Sequence, residues 1–118
     1  MQLLVHCVNT ERFKPNVATR RELRGRFNTE DRFVVVVVAY LIPEKGVDVA
    51  LRALTTLPER VVLWILGEGN EMENLRDLAR KLGIAARTTF HGLQRDVAPF
   101  LQAADCLICP SLWAEAAD

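Results

Sequence analysis

Lys45 follows Pro43-Glu44 and precedes Gly46 at the start of a helical pattern, where an ammonium group has the chemistry to hold a phosphate. The same place suits a solvated surface lysine, since a cation in a first helical turn opposes the macrodipole by about 0.3–1 kcal/mol unless Glu44 or a ligand compensates. Gly67-Glu68-Gly69 and Gly92 offer backbone that approaches a ligand closely or takes positive φ. A dinucleotide fingerprint would need a third glycine where Met72 stands, so no nicotinamide cofactor is expected. Cys106 and Cys109 form a C-x-x-C, but it lies in a strand-like run and no second ligand pair exists, so reduced thiols and no metal site are expected. His6 and His91 are too isolated for a dyad and read as structural or surface residues. Ser111 lacks the glycine-flanked elbow of a hydrolase nucleophile.

The elements that position these residues alternate short β-rich runs with helical patterns, the signature of βαβ units and a parallel sheet. Phe33–Ala39 is continuously apolar, as a central strand covered on both faces must be. Val47, Ala50, Leu51, Leu54 and Leu57 recur at helical spacing, predicting a helix over about 44–56. Val61–Leu66 is the second strand. Asn70 with Glu73 resembles a capping box before a helix that buries Met72, Leu75, Leu78, Ala79 and Leu82 and closes at Gly83. Residues 87–91 form a third strand, Asp96 caps a further helix, and residues 105–109 form a fourth strand stopped by Pro110. Upstream, residues 19–27 predict a short helix with Leu23 and Phe27 inward and a solvated face of Arg20, Arg21, Arg24 and Arg26.

The 118 residues make one domain, with a lead segment over 1–32 and a core over 33–118. Fifteen basic residues balance fifteen acidic ones, so no global field draws the chain to nucleic acid or anionic lipid. The longest apolar run, Phe33–Ile42, is about half the ~20 residues of a spanning helix, and the start lacks the pattern of a signal peptide. A cytoplasmic protein without a transmembrane segment is expected.

Right-handed crossovers put the carboxyl ends of parallel strands on one edge of the sheet, where open α/β folds bind ligands. The turns gathered there hold Tyr40 and Gly46, Gly67, Glu68 and Gly69, Gly92, Leu93 and Gln94, and Ser111. Helix amino-termini on the same edge suit a phosphate.

In this order and spacing, Pro43-Glu44-Lys45-Gly46-Val47-Asp48, Gly67-Glu68-Gly69-Asn70-Glu71, Phe90-His91-Gly92 and Ala104-Asp105 through Pro110-Ser111 resemble the C-terminal domain of family-four retaining glycosyltransferases. Val8–Pro15 looks like that family's interdomain segment. The resemblance implies a Rossmann-like three-layer α/β sandwich of the GT-B fold, incomplete here, with about four core strands in a mainly parallel sheet. It implies a nucleoside-diphosphate sugar as substrate and no separate cofactor. Lys45 matches a lysine that holds the diphosphate, whereas the accompanying arginine is Tyr40 here and the preceding glycine is Ala39. Loss of that bidentate fork implies a cost to donor affinity of about 2–5 kcal/mol. Backbone near Leu93 and Gln94 corresponds to the nucleobase pocket, with Asp96 a further contact or simply a helix cap. Glu115 matches a glutamate on the donor sugar, while a second, ribose-binding glutamate would fall beyond Asp118.

The family takes its acceptor from an N-terminal domain or, here, a partner chain, so little transfer by this polypeptide alone is expected. One alternative is a non-catalytic interaction module that pairs with a second copy through an uncovered edge at Leu107 and Ile108. Another is a sugar-nucleotide epimerase-like reaction on the same fold.

Overall fold

The computed structural model describes residues 5–6, 17–27, 29–42 and 46–108. The elements in chain order are β1 (Val5–His6), α1 (Val17–Arg26), β2 (Phe33–Val38), α2 (Val47–Leu54), β3 (Val61–Leu66), α3 (Met72–Lys81), β4 (Thr88–Gly92), α4 (Ala98–Ala103) and β5 (Cys106–Ile108), with a 3-10 turn at Ala85–Arg87. Its strands form one sheet in the order β1-β5-β2-β3-β4. β2 pairs in parallel with both β3 and β5, and β3 pairs in parallel with β4. The Rossmann-like fold expected from the sequence is therefore the fold of this chain.

Two cores follow from the period of a strand, whose successive side chains point to opposite faces. Val35, Val37, Leu63, Ile65, Cys106 and Ile108 face α2 and α3, meeting Val47, Ala50, Leu51, Leu54, Leu75 and Ala79. Val34, Val36, Val62, Trp64 and Leu66 face the other way, against Leu23 of α1 and Phe100 and Ala103 of α4. The valine run is unbroken because both faces of β2 are covered.

Several element ends differ from the sequence reading. α2 starts at Val47 behind Gly46 and ends at Leu54 with Thr55 as its cap. α3 starts at Met72 and receives no side-chain cap, so Asn70 and Glu73 make no capping box. In its place the Glu71 amide donates to the Leu41 carbonyl at 2.9 Å and the Met72 amide to that of Gly69 at 3.2 Å. Neighbouring backbone supplies what a side chain was expected to supply. Gly83 does follow α3, at φ 75°. Val97 rather than Asp96 takes the cap position of α4, while Asp96 accepts from the Ala98 amide at 3.0 Å from one residue earlier.

Two larger corrections concern the sheet edge and α1. β1 pairs antiparallel with β5, matching Val5 to Ile108 and His6 to Leu107, so β5 is not the uncovered edge expected from the sequence. Nor do all the arginines of α1 form a solvated face. Arg24 is only 6% exposed. Its guanidinium donates to the carbonyls of Ala103 at 3.0 Å and Arg32 at 2.8 Å and to Asp105 Oδ2 at 2.5 Å. Arg20, half-exposed, takes Asp105 Oδ1 at 2.9 Å. Asp105 also accepts the Val34 amide at 2.8 Å and thereby ties the start of β5 to the start of β2. Burial pushes the Asp105 carboxyl up, but the Val34 amide and the two guanidinium groups outweigh it and hold the carboxyl below its ordinary value.

Candidate functional site

The turns leaving β2, β3 and β4 emerge together at the carboxyl edge of the parallel sheet and are joined by backbone hydrogen bonds. Ala39 donates to Leu66, Leu41 to Glu68, and Gly67 to Gly92, at 3.1, 3.0 and 2.8 Å. The sheet ladder thus continues past the strand ends. Val38, Leu66 and Gly92 form one row across three neighbouring strands, Ala39 and Gly67 follow in the next, and Tyr40 stands opposite Glu68 beyond them. Tyr40 is 66% exposed and Leu93, next to Gly92, is 63% exposed, while Leu41, next to Tyr40, is fully buried.

Gly67 and Gly69 have a different reason from the one expected. A Cβ on Gly67 would lie 1.9 Å from the Ala39 carbonyl oxygen, and one on Gly69 would lie 2.3 Å from that of Leu41. Their missing side chains admit the neighbouring strand's outgoing turn, which is how Tyr40 comes to lie beside them. Glu68 and Gly69 are exposed, whereas Gly67 and Gly46 are buried. Gln94 turns back and donates its Nε2 to the His91 carbonyl at 2.8 Å, closing the turn after β4. Lys45, Ser111 and Glu115, together with Cys7, Cys109 and the segment 8–15, lie outside the described residues.

Sequence reasoning missed the surroundings of His91. The ring centroid of His91 lies 4.5 Å from Phe27, 5.3 Å from Trp64 and 5.0 Å from Phe100. These rings join the end of α1, β3, β4 and α4. Trp64 Nε1 and His91 Nε2 are buried and have no hydrogen-bond partner among the described residues. Desolvation pushes the imidazole down from 6.5 to about 4. Residue type alone carried no signal for this, because the cluster is assembled from four separate elements. On the opposite face the Arg76 guanidinium lies 5.0 Å from the Phe90 ring, covering the outer side of β4. Among the described residues no group of His, Cys, Asp and Glu is arranged to hold a metal ion, and no helix is long and apolar enough to cross a membrane.

A doubly covered parallel sheet with its outgoing turns aligned along one edge defines a Rossmann-like domain of the GT-B type. The family model for glycosyl transferases group 1 matches residues 19–117, and the chain belongs to that family. It is similar to a GDP-mannose-dependent alpha-(1-6)-phosphatidylinositol monomannoside mannosyltransferase of Mycobacterium tuberculosis, 42% identical over 88 residues, which are 72% of this chain and 23% of that protein. Lipopolysaccharide core biosynthesis glycosyltransferase LpsE of Rhizobium meliloti is 40% identical over 89 residues, 75% of this chain and 26% of that one. Among solved structures, Anabaena HepE in complex with UDP and glucose shares the fold with a TM-score of 0.74 at 24% identity, over 83% of this chain and 28% of that chain. This chain spans about a quarter of the length of the curated relatives it matches.

Proposed function

We propose that the chain is the donor-binding part of a retaining glycosyltransferase, holding a nucleoside-diphosphate sugar across the turns that leave β2, β3 and β4. The observation that carries this reading is the set of outgoing turns tied by backbone bonds at the carboxyl edge, Ala39 to Leu66, Leu41 to Glu68 and Gly67 to Gly92, with the side chains of Tyr40 and Leu93 exposed along it. α2 opens toward the same edge behind Gly46 without a side-chain cap, which leaves its first amides to an anionic oxygen. Lys45 supplies the diphosphate with its side-chain cation, the Leu93–Gln94 backbone reads the base, Ser111 adds a further contact to the donor, and Glu115 touches the donor sugar. In this reading the diphosphate departs while an acceptor hydroxyl attacks from the same face. The acceptor is presented in this reading by an N-terminal domain or a partner chain, whose positioning of the hydroxyl supplies the proximity the reaction needs.

Tyr40 makes the reading testable, because it stands where the family resemblance expects an arginine. Calorimetric titration with GDP-mannose and with UDP-glucose is expected to show binding no tighter than millimolar to high micromolar in the wild-type chain. Tyr40→Arg restores a bidentate fork and is expected to tighten the preferred donor about tenfold or more, equivalent to about 1.4 kcal/mol. No heat of binding at millimolar donor, for either protein, would remove the donor-site assignment.

A further inference from the structure

We propose that His91 is a positioning residue for the Gly92–Gln94 turn: uncharged, it seats the turn against α1 and α4, and once protonated it releases the turn, so nucleotide-sugar binding weakens as pH falls below neutrality. The binding half of this inference rests on the donor edge described above, while the structural half stands on the cluster itself.

Two hydrogen bonds put His91 in mechanical contact with that edge. Its carbonyl accepts the Gln94 Nε2, and the carbonyl of the next residue, Gly92, accepts the Gly67 amide. The peptide carrying the imidazole is thus the last part of β4 to be bonded before the turn. Its ring packs against Phe27, Trp64 and Phe100, and Trp64 is itself fully buried. Among the described residues the buried His91 Nε2 has no hydrogen-bond partner. β3, β4 and α4 carry no other titratable side chain. On α1, Arg20 and Arg24 are held by Asp105, Glu22 pairs with Arg26 on the outer face, and Arg21 is exposed. In the turn, Arg95 and Asp96 are exposed, and Asp96 is engaged by the Ala98 amide.

An imidazolium in this cluster is partly stripped of water and meets no acidic partner among the described residues, so the proton binds more tightly once the turn has swung out. The group's folded value is lowered from 6.5 to about 4. The packed arrangement is therefore favoured fully above about 6.5 and loses its advantage as pH falls from there toward 4. Linkage over that interval, reduced for partial solvent screening, gives about a tenfold rise in the open population near pH 5.

Hydrogen exchange by NMR reads this directly, because the Gly67 amide is protected by the Gly92 carbonyl whereas the Val36 amide sits in central β2. Between about pH 7.5 and about pH 5 the protection factor at Gly67 is expected to fall about tenfold in the wild-type chain, with Val36 unchanged and with no fall in His91→Phe. A parallel fall at Gly67 and Val36 would mean that His91 acts only on global stability, and would overturn the proposal. So would a His91→Phe variant that behaves as the wild type does. Should that variant not fold, the NMR titration of the His91 ring replaces it: a midpoint well below 6.5 that coincides with the loss at Gly67 supports the proposal, and an ordinary midpoint overturns it. UDP-glucose, whose diphosphate diester does not titrate in this range, is expected to bind more weakly at the lower pH by the factor by which the seated population of the turn falls, a factor that the Gly67 protection factors themselves give. Exchange at Gly67 that follows His91, without nucleotide-sugar binding at any pH, supports the positioning role and overturns the donor-edge reading instead.

Discussion

Gly69→Ala is expected to destabilise the chain by about 3 kcal/mol or more, seen as a fall in melting temperature of more than about 10 °C. The added methyl would sit 2.3, 2.7 and 2.9 Å from the oxygen, carbon and nitrogen of Leu41, all of them backbone atoms that cannot rotate away. Moving Leu41 is costly in turn, because its amide donates to Glu68 and its carbonyl accepts from Glu71, and because its side chain is fully buried. Gly67→Ala combines a 1.9 Å approach to the Ala39 carbonyl with a φ of 146°, and should be at least as damaging. Gly83→Ala provides the scale for comparison: its φ is 75° but nothing lies within 4 Å, so only the backbone penalty of about 1–2 kcal/mol applies. If circular-dichroism melts show Gly69→Ala no worse than Gly83→Ala, the close approach of the two outgoing turns is not a real constraint.

Arg24→Met is the second large effect, expected at about 3–5 kcal/mol by urea denaturation. Methionine fills the space but leaves the Arg32 carbonyl without its Arg24 donor, the Ala103 carbonyl with only Arg20 at 3.3 Å, and Asp105 short of one of its two cations. Arg20→Met, on a half-exposed side chain that shares the same carboxylate, should cost about 1 kcal/mol or less. Burial raises the Asp105 carboxyl while the Val34 amide, Arg20 and Arg24 lower it further, so its folded value lies below the unfolded one. The stability it contributes is present above the unfolded carboxylate range and is lost as pH falls through the folded value. Arg24→Met should therefore flatten the acid limb of the stability profile as well as lower its plateau. Equal losses for Arg20→Met and Arg24→Met would show that the buried arginine is not the anchor of α1.

The architecture was legible in the sequence wherever burial is imposed locally. The valine run of β2, the helical stripe from Val47 to Leu54 and the run Val61–Leu66 each carry their own pattern, and the sheet follows from their alternation. What stayed hidden depends on partners distant along the chain. Arg24 has the composition of a surface position, and only Asp105, far along the chain, makes it an interior one. β1 pairs through two residues, too few for a period to register. His91 looked isolated because its neighbours Phe27, Trp64 and Phe100 belong to other elements.

The candidate site divides in the same way. The outgoing turns were legible from strand ends and glycines, and Tyr40, Gly67, Gly92 and Leu93 fall along that one edge. The purpose of the glycines was not, since Gly67 and Gly69 make room for a neighbouring turn, and this is invisible until strand order is known. Lys45, Ser111 and Glu115 keep the roles proposed for them on the strength of the family resemblance.

Holding the three turns by main-chain bonds, with Tyr40 and Leu93 projecting from them, separates what fixes the shape of this edge from what it displays. Mutational drift at those two positions alters the chemistry offered to a ligand while the supporting ladder stays indifferent to it. A lineage with such a rim is able to explore new ligands one side chain at a time, without first passing through an unfolded intermediate genotype.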